Sequence, residues 1–167
     1  MNNTAKENLL GFLTKKLDIT WGGSGFERVV FEWIIENVPY GSVAVEIGAG
    51  FVSTKCLSAC FDLYSIEHDE RFMAEYPTKY ILAPADNTYD WEIVKKNLPP
   101  KELQKFILID GIDRRSILKN IDLFNKDAIY LVHDTNREIE IELAKDLAKL
   151  LGRGVTFHTD GDFWATI

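Results

Sequence analysis

Apolar positions along the chain fall into two kinds of block, and the blocks alternate. Phe26, Val29, Val30, Trp33 and Ile34 recur at helical spacing with Glu27, Arg28, Glu32 and Glu36 around them, which predicts an amphipathic helix. Ser24 and Glu27 have capping-box spacing at its start, and Pro39 ends it. VAVEI (43–47) is instead a continuous apolar run, the mark of a strand buried on both faces. The same alternation continues. TKCLSAC reads as a short helix, DLYSIE as a second strand followed by a helix through Arg71 and Met73, and KYILA as a third strand. Asp90 caps a helix through WEIVKKNL that stops at Pro99 and Pro100. FILID is a fourth strand with a helix through Ile117 and Leu118 behind it, and AIYLVHD is a fifth. Thr135 and Glu138 form a second capping-box pair, opening a helix to about Leu151 that stops at Gly152. GVTFH and DFWATI close the chain as short strands around an Asp160-Gly161 hairpin signal. The opening residues suit a short amphipathic helix.

Strands separated by helices imply an α/β fold: a Rossmann-like, doubly wound, seven-stranded, mostly parallel sheet with a C-terminal antiparallel hairpin strand. Ligands bind such sheets beyond the carboxyl ends of the strands. The chemically rich residues should therefore lie at strand ends, and they do: Glu46 to Gly50, Glu67-His68-Asp69, Asp86, Asp110-Gly111 and His133-Asp134.

Bulk composition narrows the partners. The 167 residues suit one domain, residues 1–25 forming an N-terminal segment or lid. Hydrophobic residues make up 46% and charged residues 27%, as in an ordinary globular protein, and the net charge of −7 argues against nucleic acid or an anionic membrane as partner. Cys56 and Cys60 are one helical turn apart with no second pair to complete a zinc site. They are expected as reduced, buried thiols. The start has no long apolar run, so a cytoplasmic location is expected.

The loop after the first strand, IGAGFVST, has glycines at 48 and 50 but Ser53 where a dinucleotide fingerprint needs glycine. Gly48 and Gly50 allow a tight turn and close approach of a ligand. Ser53 and Thr54 open a helix whose amides and hydroxyls favour a carboxylate or phosphate. Glu46 repels a pyrophosphate but attracts an ammonium. A ligand with both groups, such as S-adenosylmethionine, fits better than NAD. Glu67 is placed to accept both hydroxyls of a ribose, with His68 shaping the same pocket. Asp86, in the loop APADNTYD, accepts an adenine amino group or is an Asx-turn residue.

EIGAG followed by ST, an acid at the end of the next strand, and two closing strands resemble the class I S-adenosylmethionine-dependent methyltransferases over residues 26–167. The chain departs at Val52, where that family usually has a third glycine. Farther on, the D-G…R stretch (Asp110, Gly111) and the H-D-x-x-R-x-x-E stretch (His133, Asp134, Arg137, Glu140) resemble the glucuronoxylan O-methyltransferase and related polysaccharide-biosynthesis proteins, though Ile112 stands where they have proline. The resemblance implies methyl transfer to a hydroxyl of a sugar or glycan.

Transfer to a hydroxyl needs the acceptor oriented and its proton removed. Asp110, His133 and Asp134 are the candidate catalytic groups; His133 is a base or a packed strand-end residue. A similarity to cation-dependent catechol-type O-methyltransferases implies a divalent cation (Mg²⁺, Ca²⁺, Mn²⁺ or Co²⁺) on Asp110, Asp134 and Asn136; the alternative is that Asp134 only starts a helix. Arg114, Arg115 and Arg137 could orient an anionic acceptor, or Arg114 and Arg115 form a solvated first turn. Trp21 among its glycines is a substrate or cofactor lid, or lies in a plain linker. His158 is expected to be structural, and Trp33, Trp91 and Trp164 to be packing residues. The acceptor could also be a phenol or an amine. A non-catalytic or NAD-binding module of the same fold is the remaining alternative. With little inserted material, the acceptor pocket would be completed by a homodimer or a partner subunit.

Overall fold

The structure is a computed structural model, and it describes residues 7, 9–12, 14–15, 27–73, 75–159 and 161–167. Ser24, Trp21 with its neighbouring glycines, and Asp160 lie outside the described residues, and with them the lid, the first capping box and part of the hairpin turn. Residues 7, 9–12 and 14–15 are helical, as the opening pattern predicts.

The long helices are α1 (Arg28–Asn37) and α4 (Glu138–Leu151); α2 (Ser53–Ser58) and α3 (Trp91–Asn97) are shorter. The strands are β1 (Val43–Ile47), β2 (Asp62–Glu67), β3 (Lys79–Leu82), β4 (Pro84–Ala85), β5 (Thr88–Tyr89), β6 (Gln104–Ile109), β7 (Ile129–His133), β8 (Thr156–His158) and β9 (Trp164–Thr166). Seven of them form one sheet in the order β3-β2-β1-β6-β7-β9-β8. The first five are parallel, and β9 enters antiparallel between β7 and β8.

The central strands are buried on both faces because most of their positions are apolar, and the period of two divides those residues between two cores. On β6, Ile107 and Ile109 face a core with Val94 of α3 and Leu143 and Leu147 of α4. Phe106 and Leu108 face the other, with Val30, Phe31 and Ile34 of α1 and Leu57 of α2. Both cysteines are free and buried there, and burial pushes the Cys60 thiol up to about 11. Trp33 meets Trp164 edge-on at 5.2 Å, and His158 stacks on Trp164 at 3.7 Å, the structural place expected for it.

Four local expectations are corrected. The helix through Arg71 and Met73 is a single 3-10 turn, Glu70–Phe72, capped by Asp69. The helix after β6 is also 3-10, Arg114–Lys119, followed by Ile121–Leu123. APADNTYD is a two-stranded hairpin of β4 and β5 rather than a loop. Thr135 does not cap α4: its amide donates to the Phe163 carbonyl, and Arg137 is the flanking residue. Asp90 does cap α3, accepting from the amides of Glu92 and Ile93. Gly152 ends α4 in the left-handed conformation, as predicted. Among the described residues no helix is long and apolar enough to cross a membrane.

Candidate active site

Strand order reverses direction between β1 and β6, so the loops after these strands part or meet at one place. Here they meet. Gly48 has φ +93°, and a Cβ on it would fall 2.1 Å from the Gly111 Cα. A Cβ on Gly111 would fall 1.8 Å from the Tyr89 hydroxyl. Only glycine lets these two loops touch.

Around that contact lie two clusters. The first belongs to β1 and β2. Glu46 is fully buried, and its Oε2 accepts from the hydroxyls of Thr54 and Ser65, each at 2.6 Å. The Gly50 amide in turn donates to Thr54 Oγ1 at 3.0 Å. Burial raises the Glu46 carboxyl to about 7, offset only in part by the hydroxyls of Ser53, Ser65 and Thr54. Glu46 therefore does not present an acid to an ammonium: it ties α2 to β1 and β2. Ser53 and Thr54, both buried, likewise face inward rather than toward a carboxylate or phosphate. Glu67 stands at the tip of β2. Its Oε2 accepts from the Ala49 amide at 2.9 Å, and its Oε1 from the amides of His68 and Asp69. One carboxylate thus fixes the glycine loop to the second strand. Oε1 is filled by those two amides and also lies 2.5 Å from His68 Nδ1, so only Oε2 keeps a second lone pair for a further donor. Gly50 and His68, both part-exposed, are what a ligand would meet first. Asp86 is exposed at the two-residue turn of the β4–β5 hairpin, where Asn87 has positive φ. It is a turn position of the kind that favours Asp and Asn.

The second cluster unites the two downstream motifs. Arg114 comes from the 3-10 segment after β6. Its Nη2 donates to Asp110 Oδ1 at 2.8 Å and to Asp134 Oδ2 at 2.9 Å, and its Nη1 donates to Glu140 Oε1 at 2.8 Å. His133 lies between two acids, Nδ1 at 3.1 Å from Asp110 and Nε2 at 2.6 Å from Asp162. Burial disfavours the charged ring, but Asp110 and Asp162 override it and raise His133 to about 9. His133 is thus bracketed by two acids, and as the imidazolium it has no lone pair with which to take a proton. Asp134 has φ +60°, tolerable for an Asp at a turn. Burial works against its charge, yet Arg114, His133 and Arg137 hold its carboxyl below the usual range.

Arg114 is thus committed to three carboxylates rather than to an anionic acceptor. Arg115 turns onto α4 and pairs with Asp146 at 2.6 Å, and it also lines the smaller of the two cavities described below. Arg137 remains mostly exposed, 3.3 Å from Asp134 Oδ2. Asp162 is the residue the sequence reading missed. The only signal for it is register: β9 pairs Trp164 with His133, which brings the residue two before Trp164 past the end of β7. Two of the predicted metal ligands, Asp110 and Asp134, come together at the Arg114 guanidinium. Asp110, His133 and Asp134 place ligand-type atoms within 4.8 Å of one another, while Asn136 is exposed and lines a separate cavity. The Arg114 guanidinium bridges the two acids, so this donor set does not fit a metal ion.

One cavity is walled in part by the cluster, and a second lies among residues that follow β7 and precede β9. The first, of about 410 Å³, is lined by Ile112, Arg114, Arg137, Ile139 and Glu140. The second, of about 560 Å³, is lined by Asn136, Ile141, Lys145, Phe157, Thr159 and Phe163.

The chain matches no protein-family model and no curated sequence. Solved structures share its architecture at low identity. A precorrin 8W decarboxylase of Methanobacterium thermoautotrophicum superposes with a TM-score of 0.55 and 16% identity, over 87% of this chain and 91% of that one. TYW2 of M. jannaschii, solved with AdoMet, gives 0.51 and 14%, over 89% and 75%. The mycinamycin-pathway methyltransferase MycE, solved with Mg and SAH, gives 0.54 and 12%, over 94% and 48%. At these identities what the chain shares with them is the fold: an α/β, seven-stranded, mostly parallel sheet with antiparallel C-terminal strands.

Proposed function

We propose that the protein is an S-adenosylmethionine-dependent methyltransferase whose acceptor is a hydroxyl of a sugar or glycan. One observation carries the reading: at a single sheet switch point, a glycine loop is tied to an acid at the tip of β2, beside a pair of acids at the tips of β6 and β7. The fold neighbours solved with AdoMet or SAH support it. S-adenosylmethionine, when bound, supplies a methyl group already activated on a sulfonium. The backbone of Gly48 to Gly50 and the remaining lone pair of Glu67 Oε2 are the groups of this chain that would hold it; Glu46 supports the loop from beneath.

Asp134 is the half-exposed acid of the second cluster, and its Oδ2 is taken by Arg114 and Arg137. Held ionised in this way, it is a weak base. It orients the acceptor hydroxyl and takes the proton late, as methyl transfer acidifies the oxygen. The 560 Å³ cavity supports a sugar, because Phe157 and Phe163 offer apolar faces and Asn136 and Thr159 offer hydrogen bonds. Its apolar lining also suits a phenol, which is the second reading.

Calorimetric titration is expected to give binding of S-adenosylhomocysteine and none of NAD; the reverse overturns the proposal. Asp134→Ala is expected to lower turnover by about 100-fold or more while leaving S-adenosylhomocysteine affinity unchanged. A labelled-methyl screen over nucleotide sugars, oligosaccharides and phenols then separates the two acceptors.

A further inference from the structure

Three carboxylates of the second cluster converge on one cation. We propose that Arg114 is the resident cation of this site, its guanidinium standing where a divalent metal would bridge Asp110 and Asp134, so that the site works without a metal ion. The inference rests on the functional reading only in taking this cluster as the chemical centre.

The geometry is that of a filled site. Nη2 reaches Asp110 Oδ1 and Asp134 Oδ2 at 2.8 and 2.9 Å, and also lies 3.3 Å from the Asp110 carbonyl. Nη1 reaches Glu140 at 2.8 Å. The Arg114 side chain is only 10% exposed, so these contacts are made away from bulk water. A planar fork with fixed donors satisfies several carboxylates at once, which an ammonium does not. Mg²⁺ or Mn²⁺ would need the same oxygens drawn in to about 2.0–2.2 Å around an octahedron that keeps several waters. The guanidinium occupies that volume. The third ligand-type side chain is engaged as well: His133 faces Asp110 with Nδ1 and Asp162 with Nε2. Sequence carries the same logic. Asp110 and Arg114 are four residues apart, and a 3-10 start after Asp113 turns the arginine back over the strand tip.

Manganese titration followed by the electron paramagnetic resonance signal of free Mn²⁺ tests this directly. The wild type is expected to bind no Mn²⁺ below about 1 mM. Arg114→Gln leaves the three acids without their cation, and it is expected to bind Mn²⁺ at least about tenfold more tightly. Adding Asp134→Asn should remove that gain. Binding by the wild type that Asp134→Asn abolishes overturns the proposal. So does a folded Arg114→Gln protein, judged by circular dichroism, that gains nothing. If the glutamine variant does not fold, Arg114→Lys is read instead. Its ammonium cannot bridge the acids as the fork does, so a gain in Mn²⁺ affinity is again expected and its absence again overturns the idea. None of these readouts involves S-adenosylmethionine. Failure of the separate S-adenosylhomocysteine titration would remove the functional reading and leave the metal result standing.

Discussion

The tips of β1 and β2 and the tips of β6 and β7 both gather acids at one end of the sheet, and they stabilise them in opposite ways. Glu46 and Glu67 are surrounded by neutral donors: two hydroxyls for the first, three backbone amides for the second. Asp110, Asp134 and Glu140 are surrounded by cations, Arg114 above all. The consequences diverge. Burial without a counter-charge raises Glu46 to about 7, whereas Asp134 is held low despite its own desolvation. One tip is therefore a cradle held by neutral donors, and the other a charged network that keeps a carboxylate ionised beside solvent. A cradle suits holding a ligand still, and an ionised, half-exposed acid suits handling a proton.

Removing the cation should break the comparison most visibly. Arg114→Gln leaves three carboxylates without their partner and is expected to destabilise the fold by about 3–5 kcal/mol in urea unfolding. A loss under about 1 kcal/mol would mean the acids are solvated and the second tip is not a charge-compensated site. Gly48→Ala comes next. It forces a side chain into positive φ and against the Gly111 backbone, at an expected cost of about 2–4 kcal/mol. A mild effect there would show that the loops after β1 and β6 can part.

Stability against pH should separate the two tips by window. Glu46 has its folded pKa raised above its ordinary value, so the folded state binds the extra proton, and its contribution is complete below about 4.5 and lost as pH rises to about 7. His133 is also raised, and its contribution is complete below about 6.5 and lost as pH rises through about 9. The melting temperature should therefore fall in two stages between these limits. Glu46→Gln should flatten only the first stage, and His133→Gln only the second. Asp134 works the other way: its contribution is present above its ordinary value near 3.8 and lost as pH falls below it.

The frame was legible in the sequence because a strand buried on both faces is mostly apolar along its length. VAVEI, DLYSIE and FILI announce themselves, and Gly152 and Asp90 mark helix ends by their own backbone chemistry. Strand-end acids followed from the frame. Their partners did not, because partners are set by register and by side-chain direction. Glu46 looked like an acid awaiting an ammonium; Ser65, 19 residues away on the neighbouring strand, is what occupies it. Arg114 and Arg115 are adjacent, yet a 3-10 turn sends one to the acids of the strand tips and the other to Asp146 on α4. The β4–β5 hairpin was hidden because its turn is Asp86-Asn87 rather than an Asn-Gly pair, with Asn87 alone supplying the positive φ.

The smallest effect sharpens the comparison most. Glu46 is buried, and at pH 7 its carboxyl lies near its midpoint, so replacing it with a neutral amide of the same shape removes little charge. The amide oxygen can still accept from Thr54 and Ser65. Its NH₂ would point where Oε1 now lies without a hydrogen bond among the described residues. Glu46→Gln is therefore expected to change stability at pH 7 by about 1 kcal/mol or less in urea unfolding, against the several expected for Arg114→Gln. The difference should depend on pH in a defined direction. Below about pH 5 the wild-type acid is protonated in the folded state and the variant should be the less stable of the two; above pH 8 the wild type must hold a buried anion, and the variant should gain on it. A variant that loses ground as pH rises would mean that Glu46 is ionised with a cation of its own, and the two tips would then be built on the same principle.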